Sequence, residues 1–214
     1  VSEAPAWLRG IPQRVAELDP AYFRDFTPPP DATRRSAVLM LFGPDPDGGE
    51  DVLLTQRGTN LRSHAGQVSF PGGRVDPQDA GAVGAALREA EEEVGLDRAG
   101  VEVIDTLPPL YLSPSANVVT PILGWWHSPS EVWAASEIEV ERVVRVKVED
   151  LVNPANRFLV DTPVGYVSPG WELHGLFVWG FTAKLLDVTL QLAGLMEPWD
   201  EAVRRPLPPH LWRS

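Results

Sequence analysis

The chain has 214 residues, 43% of them apolar, which suits one large domain, or one domain with extensions, around a sizeable core. It contains no cysteine, which excludes disulfides, thiolate metal sites and cysteine nucleophiles. A net charge of −12 argues against binding nucleic-acid backbones or anionic membranes through bulk charge. A small phosphorylated ligand stays open where arginine, lysine, histidine or a metal ion supplies local positive charge.

The N-terminal "VSEAPAWLRG" lacks the apolar stretch of a signal peptide, and no run of about 18 apolar residues occurs anywhere. A cytoplasmic protein without a membrane partner is expected. Residues 6–18 ("AWLRGIPQRVAEL") predict a short helix, followed by the Pro-rich "FTPPPDATRR", an extended linker. The apolar runs "SAVLMLF" (36–42) and "DVLLTQR" (51–57) flank the turn-rich "GPDPDGGE" and predict a β-hairpin. A short strand is expected at 67–70, just before "PGG".

Next comes a helix ending near Val94, with Asp76 or Asp79 as its N-cap and Gly95 at its C′ position. Its buried stripe would comprise Val83, Ala86, Leu87, Ala90 and Val94. Downstream, "VEVIDTLPPLYL", "NVVTPILGWW" and "EIEVERVVRVKV" (137–148) have strand character, the last with clear period-two alternation. Residues 171–195 run from strand into a closing helix, Trp179 to about Leu195, and the tail looks irregular. The order predicts an α/β/α sandwich with a mixed central sheet. Its expected boundaries are an N-terminal extension (1–35), a main domain (36–198) and a C-terminal tail (199–214).

The helix end poses a question of charge. Glu89, Glu91, Glu92 and Glu93 crowd a C-terminus whose dipole is already negative, where each misplaced charge costs roughly 0.3–1 kcal/mol. Glu89, Glu92 and Glu93, at i, i+3 and i+4, share one patch, while Glu91 points elsewhere. Arg88, four residues before Glu92, offsets part of the repulsion. One reading is a solvated acidic face. The other is a divalent-metal site, since Mg²⁺ takes hard carboxylate oxygens and bridges to phosphates. Gly72 and Gly73 just ahead are either a turn or a place where backbone approaches a metal or phosphate closely.

These residues resemble the Nudix hydrolase box, in which a glycine, then a glutamate, precede an Arg-Glu-apolar-any-Glu-Glu-any-Gly-apolar run. Gly73 matches the first glycine, and Arg88, Glu89, Ala90, Glu92, Glu93, Gly95 and Leu96 match the second half. Asp79 stands where the first glutamate is expected, and one extra residue precedes Arg88. Across residues 35–190 the chain is similar to the coenzyme A pyrophosphatase branch. The resemblance is carried by "LLTQRGTNLRSHAGQVSFPGG", "LSPSANVVTPILGWW", "EVERVVRVKVEDLVNP" and "LFVWGFTAKLL". Gly58 departs from it, since a serine commonly follows Arg57.

The resemblance implies a Nudix-type fold and Mg²⁺- or Mn²⁺-dependent cleavage of coenzyme A, or a derivative, into 3′,5′-ADP and 4′-phosphopantetheine. It implies Glu89 and Glu93 as main metal ligands, Glu92 as a further ligand or water-activating base, and a carbonyl of Gly72 or Gly73 completing the sphere. Arg88 would hold that cluster in register. Arg57, Arg62, His64 and Arg74 are candidate contacts for the substrate phosphates, each alternatively a surface residue, and His64 alternatively a structural histidine. Glu139, sharing a strand face with Glu137, is a candidate distal acid or a solvent-facing residue. Trp125, Trp126 and Trp179 are expected in packing. A homodimer is also implied. Alternative readings are a diphosphatase of ADP-ribose or NADH, and a non-catalytic Nudix-fold binding module.

Overall fold

The computed structural model describes residues 2–61 and 63–212. Pro12 lacks the N–H that one continuous helix would need, and the first segment splits into α1 (Ala6–Arg9) and α2 (Ile11–Ala16) around Gly10. A 3-10 turn, Pro20–Phe26, capped by the Asp19 side chain on the Ala21 N–H, leads into the proline-rich connection. Strands β1 (Arg34–Pro44) and β2 (Glu50–Arg57) then form the expected antiparallel hairpin, with Phe42 opposite Val52.

Two short strands follow, β3 (Val68–Ser69) and β4 (Gly72–Arg74), and then helix α3 (Gly81–Val94). After it come β5 (Val101–Thr106), β6 (Leu110–Leu112), β7 (Asn117–Trp126), β8 (Val140–Lys147) and the short helix α4 (Val148–Val152). The main sheet runs β3-β2-β1-β7-β5, with β8 also on β2, β4 on β1 and β6 on β7. Its β1–β7 pair is parallel, which makes the sheet mixed.

Alternation along β1 builds the layers. Ala37, Leu39 and Leu41 meet Ala85, Ala86, Ala90 and Val94 of α3 in one buried cluster. Met40 and Phe42 point the other way, into a cluster with Leu8, Ile11, Leu186 and Leu190. The latter two belong to α5 (Gly180–Leu192), so the sheet lies between α3 and the pair of α5 with the N-terminal helices. Trp125 and Trp126 fall on opposite faces for the same reason and are both core residues. No helix among the described residues is long and apolar enough to cross a membrane.

Two expectations are corrected. β8 starts at Val140, not 137, because Glu139 and Val140 donate their N–H groups to Ser136 O and fold residues 136–139 into a turn. Beside the expected mixed sheet, β9 (Arg157–Asp161), β10 (Val167–Leu173), β11 (Leu176–Val178) and β12 (Arg204–Pro206) form a second sheet. The tail is therefore partly regular, since β12 pairs in parallel with β9 and Leu207 and Leu211 pack on Phe158 and Val160.

One buried charge lies under the main sheet. Asp51 on β2 is 1% exposed, with Arg145 Nη2 at 2.8 Å, off the hydrogen-bonding direction. That guanidinium also donates to Pro44 O at 2.6 Å and lies over the Trp126 ring. Burial outweighs Arg145 and pushes the Asp51 carboxyl from its ordinary 3.8 up to about 6. The raised pKa means that this group's stabilising contribution is complete below about pH 4 and is lost as pH climbs through about 6. Asp51→Asn should therefore gain up to about 3 kcal/mol on the parent in urea-unfolding free energy between about pH 4 and about pH 7.5. A difference that stays constant over that range would contradict the burial account.

Candidate active site

Helix α3 ends as its glycine dictates. Gly95 takes the left-handed conformation at φ 66° and donates to Glu91 O, and Leu96 N–H reaches Ala90 O at 3.4 Å. The N-terminus differs from expectation, because Ala80, not Asp76 or Asp79, occupies the N-cap position and no side chain caps it. Asp79 is engaged elsewhere: its Oδ2 accepts the Asp76 N–H at 2.8 Å, and its carboxylate takes a two-pronged hydrogen bond from Arg88. The buried stripe is also rotated slightly, with Ala85 and Glu93 fully buried and Val83 and Leu87 only partly so.

Arg88 is the hub of this site. Nε and Nη2 reach Asp79 at 2.9 and 3.0 Å, and Nη2 also reaches Arg74 O at 3.0 Å. Nη1 is shared between Glu89 Oε1 at 3.1 Å and Glu92 Oε2 at 3.2 Å. Asp79 is held below the usual carboxylate range by its hydrogen bonds from Arg88. Arg88 in turn is held well above its ordinary value, chiefly by the hydrogen bond to Asp79.

The glutamates divide into three environments. Glu93 is 3% exposed and accepts the Gly72 N–H at 3.0 Å. Burial pushes its carboxyl up to about 7, against the lowering effects of that hydrogen bond and of Arg57, while Glu89 and Glu139 raise it further. Glu89 is raised too, mainly by burial, with Glu92 and Glu139 adding to it against Arg88. Glu92 is 60% exposed at its side chain. The three carboxylates expected on one patch are thus spread from core to solvent, and no three carboxylate or imidazole groups among the described residues form a ready metal-binding cluster. Glu91 lies outside the group and pairs with Arg98.

The "PGG" segment packs where only glycine fits. Gly72, at φ 155°, faces Ala37 O and Val38 Cα so closely that a Cβ would collide with backbone. A Cβ on Gly73 would overlap the Glu89 carboxylate. Strand β4 thereby lays its backbone against the acidic face of α3.

The four cationic candidates separate. Arg57, at the end of β2, is half-buried, its Nε has no hydrogen-bond partner among the described residues, and its charge reaches Glu93. His64 is exposed, at φ 57°, with Nδ1 3.0 Å from Gln67 Oε1, an arrangement that fits its structural reading. Arg74 has an exposed side chain and joins the site through its carbonyl. Arg62 lies outside the described residues. Gly58 has a local cause, since a Cβ there would stand 2.7 Å from Ile138 O. Asp79 as the anchor of Arg88 was missed at the sequence level, although its place in the motif marked it. Glu139 is exposed, and its charge adds to the raising of both Glu89 and Glu93.

The NUDIX domain model matches residues 32–161, which include every strand and the helix that build this site. The chain belongs to the Nudix family. It is 42% identical over 164 residues to an uncharacterized Nudix hydrolase, NudL, of Salmonella paratyphi B, covering 74% of this chain and 83% of that one. The NudL of Salmonella newport matches with the same figures. Among solved structures it resembles the Nudix hydrolase RenU of M. smegmatis, with a TM-score of 0.54 and 17% identity over 78% of this chain and 89% of that one, a likeness of fold. The enzyme class follows from the family and the NudL relatives: a hydrolase acting on diphosphate linkages.

In the absence of divalent cation, charging Glu93 costs stability, which is complete below about pH 4.5 and lost as pH rises through about 7. Glu93→Gln should therefore melt close to the parent at about pH 4 but above it at about pH 8, by the equivalent of up to about 3 kcal/mol. Equal melting temperatures at the higher pH would show that the carboxylate is not strained by its burial.

Proposed function

We propose that this Nudix hydrolase cleaves the diphosphate linkage of coenzyme A or a close derivative, giving 3′,5′-ADP and 4′-phosphopantetheine in the cytoplasm. The observation that carries the reading is the meeting of two segments. Gly72, at the end of the "LLTQRGTNLRSHAGQVSFPGG" segment that resembles the coenzyme A pyrophosphatase branch, donates its N–H to Glu93 of the Nudix helix at 3.0 Å, and Arg57 of the same segment works to lower the Glu93 pKa. A substrate phosphate beside Arg57 would lie next to the acidic face of α3.

Nudix hydrolases generally require divalent metal ions, and the donor set here suits Mg²⁺ or Mn²⁺. Glu93 and Glu89 are both raised by burial and by neighbouring carboxylates, a cost that a hard cation would relieve. They are the proposed main ligands, with Glu92 and a carbonyl of Gly72 or Gly73 as further donors. A bound ion would neutralise the diphosphate oxygens and lower the pKa of the attacking water.

The chain's own groups supply the rest. Arg88 keeps Glu89 and Glu92 in register by charge-assisted hydrogen bonds. Glu92, the most exposed of the three, is proposed either as that further ligand or as the base that takes a proton from water. The water oxygen bonds to one phosphorus, and the bridging oxygen leaves on the other phosphate. Arg57, Arg62, His64 and Arg74 are the proposed phosphate contacts.

A panel of coenzyme A, acyl-coenzyme A, ADP-ribose and NADH, with Mg²⁺ or Mn²⁺ and products read by mass, tests the substrate. Coenzyme A or its acyl form should be cleaved at least about tenfold more efficiently than the others, a difference of about 1.4 kcal/mol in transition-state stabilisation. Efficient cleavage of ADP-ribose or NADH with coenzyme A untouched would overturn it. Glu93→Gln should abolish metal-dependent turnover in the same assay while the fold is kept, and near-parental activity would remove Glu93 from the site.

A further inference from the structure

Trp133 is 54% exposed, an unusual setting for the largest side chain in a loop beside the candidate site. Its backbone explains the placement. The last carbonyls of α3 have no donor within the helix. Trp133 N–H donates to Val94 O at 3.1 Å, and Ala135 N–H donates to Glu93 O at 3.0 Å. Residues 131–139 therefore lie as a strap across the end of the helix that carries the glutamates.

Both ends of the strap are fastened. Val132 packs against the buried cluster under α3. The Trp133 ring rests on Gly95, so closely that a Cβ there would stand 2.7 Å from it. Beyond the ring, Ser136 O accepts the N–H groups of Glu139 and Val140, at 3.0 and 2.8 Å. Glu139 O then accepts the Gly58 N–H at 2.9 Å, next to Arg57. A continuous set of backbone hydrogen bonds thus runs from Glu93 through the strap to Glu139, whose charge acts on Glu89 and Glu93.

We infer that Trp133 is a positioning residue: by clamping the strap on Gly95 it fixes Glu139 relative to Glu89 and Glu93, and so sets the site's hold on its divalent cation. The inference rests on the reading of Glu89 and Glu93 as cation ligands. The ring itself touches no reacting atom. Its effect passes through the strap, so it should change cation affinity and turnover rather than substrate affinity.

The test uses the full chain and Mn²⁺ alone, with free Mn²⁺ counted by electron paramagnetic resonance, alongside kinetics on whichever diphosphate the parent cleaves. Trp133→Ala should weaken Mn²⁺ binding at least tenfold and lower kcat at least tenfold, with KM within twofold of the parent. Trp133→Phe should restore most of both, and Trp133→Leu serves in place of the alanine variant if that one does not fold. In a Glu139→Gln background, Trp133→Ala should add little. Parental Mn²⁺ binding in the folded alanine or leucine variant, or full additivity with Glu139→Gln, would overturn the proposal. If the parent binds Mn²⁺ but cleaves no diphosphate, the substrate reading fails while the Mn²⁺ measurement still decides on Trp133. If Glu93→Gln binds Mn²⁺ as the parent does, the ligand reading fails and the strap proposal with it.

Discussion

One guanidinium decides whether the acidic end of α3 can exist. Arg88 gives its Nε and Nη2 to Asp79 and its Nη1 to Glu89 and Glu92, and it reaches Arg74 O as well. A lysine would offer the same charge without the planar fork that meets Asp79 on two atoms at once. Because Asp79 and Arg74 lie ahead of the helix, the guanidinium ties the loop and β4 to the helix that follows. The repulsion among the glutamates is thus partly answered inside the fold, and the loop that answers it also carries "PGG" to its place.

Glycine completes what Arg88 begins. The backbone of β4 pairs with β1 on one side and meets Glu89 and Glu93 on the other, leaving no volume for side chains at Gly72 or Gly73. Burial under this packing raises the Glu93 pKa, and the Gly72 N–H counters it only in part. A buried carboxylate with one backbone donor is under-satisfied, since an ionised carboxylate accepts several hydrogen bonds. Such an arrangement persists when selection acts on something other than stability of the bare fold.

How much of this could be read from sequence depends on range. The helix that ends at Val94, its glycine stop and the alternating strands are set by contacts within a few residues, and spacing alone reveals them, though not where the helix begins. The β12–β9 pairing joins residues more than forty positions apart, and nothing local in "RRP" announces it. Asp79 illustrates the intermediate case: an acid just before a helix reads as an N-cap, but a nearby arginine offers two hydrogen bonds where a cap offers one. At the site, spacing placed Arg88, Glu89, Glu92 and Glu93 on one helix. It could not show that Glu93 would be buried and Glu92 left in solvent, because that depends on where β4 packs.

The charge balance bears on the proposed reaction. The protein carries a net −12, and its substrate on the proposed reading is itself a polyanion. Among the described cationic side chains expected to meet that substrate, Arg57 has a charge that reaches Glu93, His64 lies against Gln67, and Arg74 is exposed. Arg88 is committed to carboxylates. The described side chains therefore supply too little positive charge at the glutamates to receive a diphosphate unaided, and its binding there should be strongly coupled to binding of the cation. On this account the carboxylates serve less as direct agents than as the means by which an acidic protein keeps a movable positive charge where the phosphates arrive.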